Sequence, residues 1–161
     1  MGRSTVLLGA PRRLKGNGKV HSIDPFDCSG DSHSVAHYKS ELMMAGQSTS
    51  EEAFKKNISQ KKLGDWVNIH KGTSREVASN WSTSIDLLLL DGDHSPQGAR
   101  EAFESWTPFL KKGGTLILSN TGDRTYTPGH DGNYRLSLKS VVEPQFHNIR
   151  QVGYFQFSVK K

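Results

Sequence analysis

The stretch Ile85-Asp86-Leu87-Leu88-Leu89-Leu90-Asp91-Gly92-Asp93-His94-Ser95-Pro96 decides how this chain is read. Four consecutive leucines ending in a carboxylate predict a central parallel strand over 85–90, buried on both faces and charged at its C-terminal end. Ser95 is placed to cap a helix and Pro96 to occupy its first turn. In open α/β sheets, ligands bind beyond the carboxyl ends of the strands. Two carboxylates and an imidazole at such an edge point to a cofactor, metal or proton-transfer site.

Working outward toward the C-terminus, the helix after Pro96 places Ala99, Ala102, Phe103, Trp106 and Leu110 on one apolar stripe. Pro108 is expected to distort its last turn. Lys111-Lys112-Gly113-Gly114 reads as a C-terminal stop, followed by a strand over 115–118. A polar loop over 119–132 leads to a helix over 133–143. Two alternating runs, 146–152 and 154–159, flank Gly153 and predict an antiparallel hairpin.

Toward the N-terminus, a helix over 5–14 stops at Gly16-Asn17-Gly18, and a strand over 19–23 ends at Asp24-Pro25-Phe26. Residues 27–50 are rich in Ser, Gly and His and read as a long loop with a helical turn around 38–44. Ser50 is expected to cap a helix reaching about Lys62. A strand over 66–70 and a short helix over 75–81 complete the pattern. Trp66, Trp81, Trp106, Phe103 and Phe155 are expected in the core. Strands alternating with helices imply βαβ units. The expected fold class is therefore α/β, a Rossmann-like three-layer sandwich with a mostly parallel sheet and an antiparallel edge hairpin.

The 161 residues suit a single domain spanning 1–161. One cysteine, Cys28, excludes an intrachain disulfide and fits a reduced, cytoplasmic setting. No apolar run approaches the roughly 18 residues of a membrane span. Net charge is +5. The basic clusters at Arg12, Arg13, Lys15 and Lys19 and at Lys55, Lys56, Lys61 and Lys62 lack interleaved aromatics. They read as solvated surface, with a nucleic-acid partner the weaker reading. His33 and His37 could share a metal if helical, but a polar loop accounts for them. Pro96 and Ala102 stand where a calcium loop needs glycine and glutamate. Gly16-Asn17-Gly18 precedes a strand, so it is a turn and not a dinucleotide fingerprint.

The order of four features carries a resemblance: a strand ending in Asp24-Pro25-Phe26, then Gly72-Thr73-Ser74, then Asp86 to Ser95, then Lys111 to Leu118. Together they resemble class I S-adenosylmethionine-dependent O-methyltransferases. The nearest are macrocin O-methyltransferase-like proteins, with catechol O-methyltransferases as more distant kin. The resemblance implies S-adenosylmethionine as cofactor and a small hydroxylated acceptor, a sugar or natural product. A homo-oligomeric state is compatible with it. The implied cofactor contacts are Gly2, Ser4, Asp24, Thr73, Ser74 and Asp91. Asp24 would accept hydrogen bonds from the ribose, although it also suits a turn before proline. Asp93 matches the position of a general base, and His94 offers an alternative.

Two departures from the family pattern matter. Metal-dependent relatives carry acidic or Asp-Asn pairs where this chain has Ser119-Asn120, leaving Asp91 and Asn120 as the set for Mg²⁺. The family's first strand and glycine-rich turn are reduced to Gly2-Arg3-Ser4, so the domain is expected to be N-terminally truncated relative to the family. A catalytically inactive methyltransferase-like binding or accessory domain is the alternative reading.

Overall fold

A computed structural model describes residues 1–46, 48–122 and 126–161. Position 47 and positions 123–125, which fall in the two longest expected loops, lie outside the described residues. The chain divides into two compact units, Met1–Ser29 with His33–Thr73, and Gly30–Ser32 with Ser74–Lys161.

In the first unit, α1 (Arg3–Lys15) stops at Gly16, whose φ of 68° suits a residue without Cβ. Strands β1 (Val20–Asp24) and β2 (Val67–Lys71) pair in parallel, with Val20 opposite Val67 and Asp24 opposite Lys71. Between them run α2 (Ser32–Ala45) and α3 (Ser50–Gln60). Phe26, Phe54, Ile58, Leu63 and Val67 form the core of this unit. Phe26 meets Phe54 edge-on at 5.5 Å.

Two expectations are corrected here. The polar stretch 27–50 is not mainly loop, because α2 occupies Ser32–Ala45 and places His33 and His37 one turn apart on it. The α3 cap is Thr49, not Ser50: the Thr49 side chain accepts the Glu52 N–H at 3.1 Å. Ser50 is already helical, so its neighbour does the capping.

The second unit holds a four-stranded sheet in the order β3 (Ile85–Leu90), β4 (Leu110–Leu118), β6 (Phe155–Lys160), β5 (Phe146–Val152). β3 and β4 are parallel. β6 runs antiparallel to both β4 and β5, which gives the expected hairpin. Helices α4 (Ser74–Ala78), α5 (Pro96–Trp106) and α6 (Gly132–Lys139) complete the unit. Ser95 caps α5 by accepting the Gly98 N–H at 3.0 Å, and Pro96 follows in the first turn. Pro108 lies in a single 3-10 turn that ends α5. The mixed α/β, Rossmann-like class expected from the sequence is the one observed, and no helix among the described residues is long and apolar enough to cross a membrane.

Three further expectations change in this unit. β3 stands at one end of its sheet and not in the middle, and Leu87 is 41% exposed. The deepest side chains are instead Leu116 and Leu118 on β4. Lys111–Gly114 does not end a helix. It forms an irregular stretch inside β4, where Ile85 faces Leu110 but Leu87 faces Thr115. Gly113, at φ 76°, absorbs the extra residues without ending the strand. Phe155 is 38% exposed, because it opens β6 right after the hairpin turn at Gly153.

Candidate active site

The predicted site residues fall in both units. Gly2, Ser4, Asp24 and Thr73 belong to the first; Ser74, Asp91, Asp93, His94 and Asn120 belong to the second.

In the first unit, Asp24 ends β1, and its Oδ1 accepts the Phe26 N–H at 2.7 Å. The turn role and a ligand role are therefore compatible, since one carboxylate oxygen suffices for the turn. Burial, partly offset by that hydrogen bond, raises the Asp24 pKa above its ordinary value. Gly2 precedes α1 with φ 76°, and a Cβ there would run into the Phe54 ring.

In the second unit, Asp91 to Asn120 gather at the C-terminal ends of β3 and β4. Asp91 is exposed. Asp93 turns onto the start of α5: its Oδ1 accepts the Ser95 N–H at 2.8 Å, and a Cβ on Gly98 would collide with its carboxylate. A negative charge is favoured there by the helix dipole. Ser74 is the first residue of α4.

His94 is 5% exposed. The Asn133 amide N–H approaches its Nδ1 at 3.4 Å and also reaches the Leu90 carbonyl at 3.0 Å. The same amide nitrogen lies 3.4 Å from the Ser119 hydroxyl, so its two hydrogens are divided among Leu90, Ser119 and His94. The Ser119 hydroxyl donates to the same Leu90 carbonyl at 3.1 Å. The His130 ring packs edge-on against His94 at 4.6 Å. His130 Nδ1 lies 2.8 Å from Asp31 Oδ1, and its Nε2 lies 3.1 Å from the Asn120 amide nitrogen.

Burial, and then the nearby His130, hold the His94 pKa below 6.5, against the opposing pull of Asp91, Asp31 and Asp93. The unfolded chain therefore takes up this proton first as pH falls. Stability from this group is present above pH 6.5 and declines as pH drops below it toward the folded pKa. His21 acts in the same direction, chiefly through burial. The melting temperature of the wild type is expected to fall between about pH 7.5 and about pH 5.5. His94→Gln should lessen that fall without abolishing it; equal slopes in a melting series would refute the assignment.

Sequence reasoning singles out neither Asp31 nor Asn133, and it places His130 only within the polar loop over 119–132. One signal was available: His130-Asp131-Gly132-Asn133 repeats the density of Asp, Gly and His that marks 91–94.

Ser119 commits its hydroxyl hydrogen to Leu90, and Asn120 turns its amide nitrogen, not its amide oxygen, to His130. Asp91 and Asn120 would together offer Mg²⁺ one carboxylate and one amide oxygen, with waters completing the octahedral shell.

Parallel strands with acidic C-terminal ends, backed by helices, define a Rossmann-like nucleotide-cofactor fold. Its particular form is shared with O-methyltransferases of known structure. One from Bacillus cereus, in complex with SAH, is 17% identical with a TM-score of 0.61, over 100% of this chain and 82% of that one. The O-methyltransferase NovP is 16% identical with a TM-score of 0.68, over 97% of this chain and 66% of its own length. A Staphylococcus aureus protein provisionally described as a caffeoyl-CoA O-methyltransferase is 15% identical with a TM-score of 0.59, over 100% and 85%. At these identities the likeness is one of fold. A family model described as a methyltransferase domain matches residues 1–121, more than half of the chain, and the chain belongs to that methyltransferase family.

Proposed function

We propose that the chain transfers a methyl group from S-adenosylmethionine to a hydroxyl of a small acceptor, a sugar or natural product. The observation that carries this is the placement of Asp24 and of Asp91-Gly92-Asp93-His94, each at the C-terminal end of a parallel strand in a methyltransferase-family chain. Asp24 would hold the ribose hydroxyls. Gly2, Ser4, Thr73, Ser74 and Asp91 would complete the cofactor contacts. The reaction is an in-line displacement at the sulfonium methyl, in which the protein supplies proximity and a base.

Calorimetry with S-adenosylmethionine and S-adenosylhomocysteine tests the reading. Folded wild type should bind both, and Asp24→Ala should weaken both by about tenfold or more, as the loss of charged hydrogen bonds does. A folded wild type that binds neither ends this proposal.

Asp93 is the base the reading favours, with His94 second, since Asp93 is exposed whereas His94 is buried against Asn133 and His130. Asp93→Asn keeps an oxygen to accept from Ser95 and removes only the charge. Its stability should fall by at most about 1 kcal/mol, the worth of a helix-end charge. Methyl transfer should fall about 100-fold or more. Undiminished transfer by Asp93→Asn would pass the role to His94.

A second reading, a methyltransferase-like domain that binds cofactor without turnover, is favoured by Ser119, which stands where metal-dependent relatives place an acid. Cofactor binding with no transfer across a panel of hydroxylated acceptors would select it.

A further inference from the structure

His33 has a different set of neighbours from the one its sequence position suggests. His37 stands one turn further along α2, and its Nε2 lies 3.3 Å from Glu41. The donors that gather with His33 are instead Asp31, two residues earlier, and His130, far along the chain. One ligand-type atom from each of these three residues lies within 4.8 Å of the other two. Asp31 and His130 both belong to the second unit, where Asp31 Oδ1 and His130 Nδ1 are 2.8 Å apart. Neighbouring ligand atoms around a tetrahedral zinc ion are about 3.3 Å apart, for bonds of about 2.0 Å. The Asp31–His130 pair is thus close to one such edge. The other distances need to contract by at most about 1.5 Å. His33 is exposed and can make that move by changing rotamer.

Exposure grades across the cluster. The side chains of Asp31 and His130 are 4% and 11% exposed, whereas His33 is open to solvent. Packing therefore holds two of the donors, and the third stands where an ion would enter. The His94 ring backs His130 edge-on. His130 Nε2 meets the Asn120 amide at 3.1 Å. Metal-bound imidazoles commonly have such an outer partner, which fixes the ring. With zinc on Nδ1, the ring hydrogen sits on Nε2, and the Asn120 amide turns over to accept it through Oδ1.

We propose that Asp31, His33 and His130 form a zinc site, with a fourth, exchangeable position taken by water. Two imidazoles and a carboxylate match the three-ligand zinc sites that keep one position open. The same set is too poor in oxygen for Mg²⁺ or Ca²⁺, which take carboxylates, carbonyls and water. It shares no ligand with the oxygen pair of Asp91 and Asn120. Zinc bound here ties residues 31–33 to residue 130, so its binding energy adds to the stability of the folded chain. The inference goes beyond methyl transfer and does not depend on it.

The test takes tag-free chain, strips it with a chelator and titrates it with zinc chloride by calorimetry. Wild type should bind one zinc per chain. At a hundredfold excess over the dissociation constant, its melting temperature should rise by roughly 5–10 °C. His33→Ala should weaken zinc by about tenfold or more. It should leave the metal-free melting temperature within about 2 °C, because the residue is exposed. Asp31→Asn replaces a charged ligand with a neutral one of the same shape and should weaken zinc at least as much. His37→Ala should change the affinity by less than about twofold. Cobalt(II) in place of zinc should give wild type the intense visible bands of a four-coordinate ion, and His33→Ala should lose them. A wild type that binds no zinc overturns the site. So does zinc affinity that is unchanged in His33→Ala, or lost equally in His37→Ala.

Discussion

Gly132→Ala is expected to be among the most damaging single substitutions in the second unit. Gly132 opens α6, and its N–H donates to the His94 carbonyl at 2.8 Å. A Cβ there would lie 2.4 Å from the Ser95 carbonyl oxygen, 2.5 Å from the Ala99 Cβ and 2.8 Å from the His94 oxygen. Two of these three neighbours are main chain and cannot swing aside, so the start of α6 must move off the start of α5. Overpacking of this kind destabilises by about 1–3 kcal/mol, and the rigid neighbours put Gly132 at the upper end. For a chain of this length, that is a fall in melting temperature of roughly 6–10 °C. The His94–Asn133 contact should loosen with it. A melting temperature within about 2 °C of wild type would show that the two helix starts separate at little cost.

Leu118→Ala should be comparably damaging, while Leu87→Ala should matter little. Leu118 is fully buried on β4, between Leu90 of β3 and Gln156 of β6. Truncating a buried leucine removes transfer energy and leaves a cavity, for about 2–5 kcal/mol. Leu87 is 41% exposed, so its truncation should stay below about 1 kcal/mol. Urea midpoints of the two variants measure the contrast. Equal losses would mean that β3 is buried as deeply as a run of four leucines suggests.

That contrast shows what could be read from the sequence. The strand over Ile85–Leu90, the Ser95 cap and the helix behind Pro96 are local features, written within a dozen residues. Which leucines are deepest depends on strand order, and strand order depends on pairings far apart in the chain. The same holds at the site. His94 was visible because it sits beside Asp91 and Asp93. Asp31 was not, because its partner His130 is 99 residues away. Asn133 was not, because it meets His94 across 39 residues. Helix α2 was hidden for another reason: serine and histidine dominate its first turns, and their side chains compete locally with helical hydrogen bonding. The Gly113-Gly114 pair was read as punctuation, but glycine also permits a bulge within a continuing strand.

The terminal place of β3 in its sheet bears on self-association. Among the described residues of the second unit this strand pairs on one side, with β4. An unpaired edge carrying consecutive leucines is a template for another chain. The run is bracketed by charge: Asp86 is exposed and held by Lys111 at 2.8 Å, and Asp91 closes the other end. Such flanking carboxylates resist edge-to-edge stacking of identical strands, because each would meet its own like charge. Neutralising Asp86 would thus leave the folded unit nearly unchanged, yet remove one of the charges that keep copies of this strand from pairing.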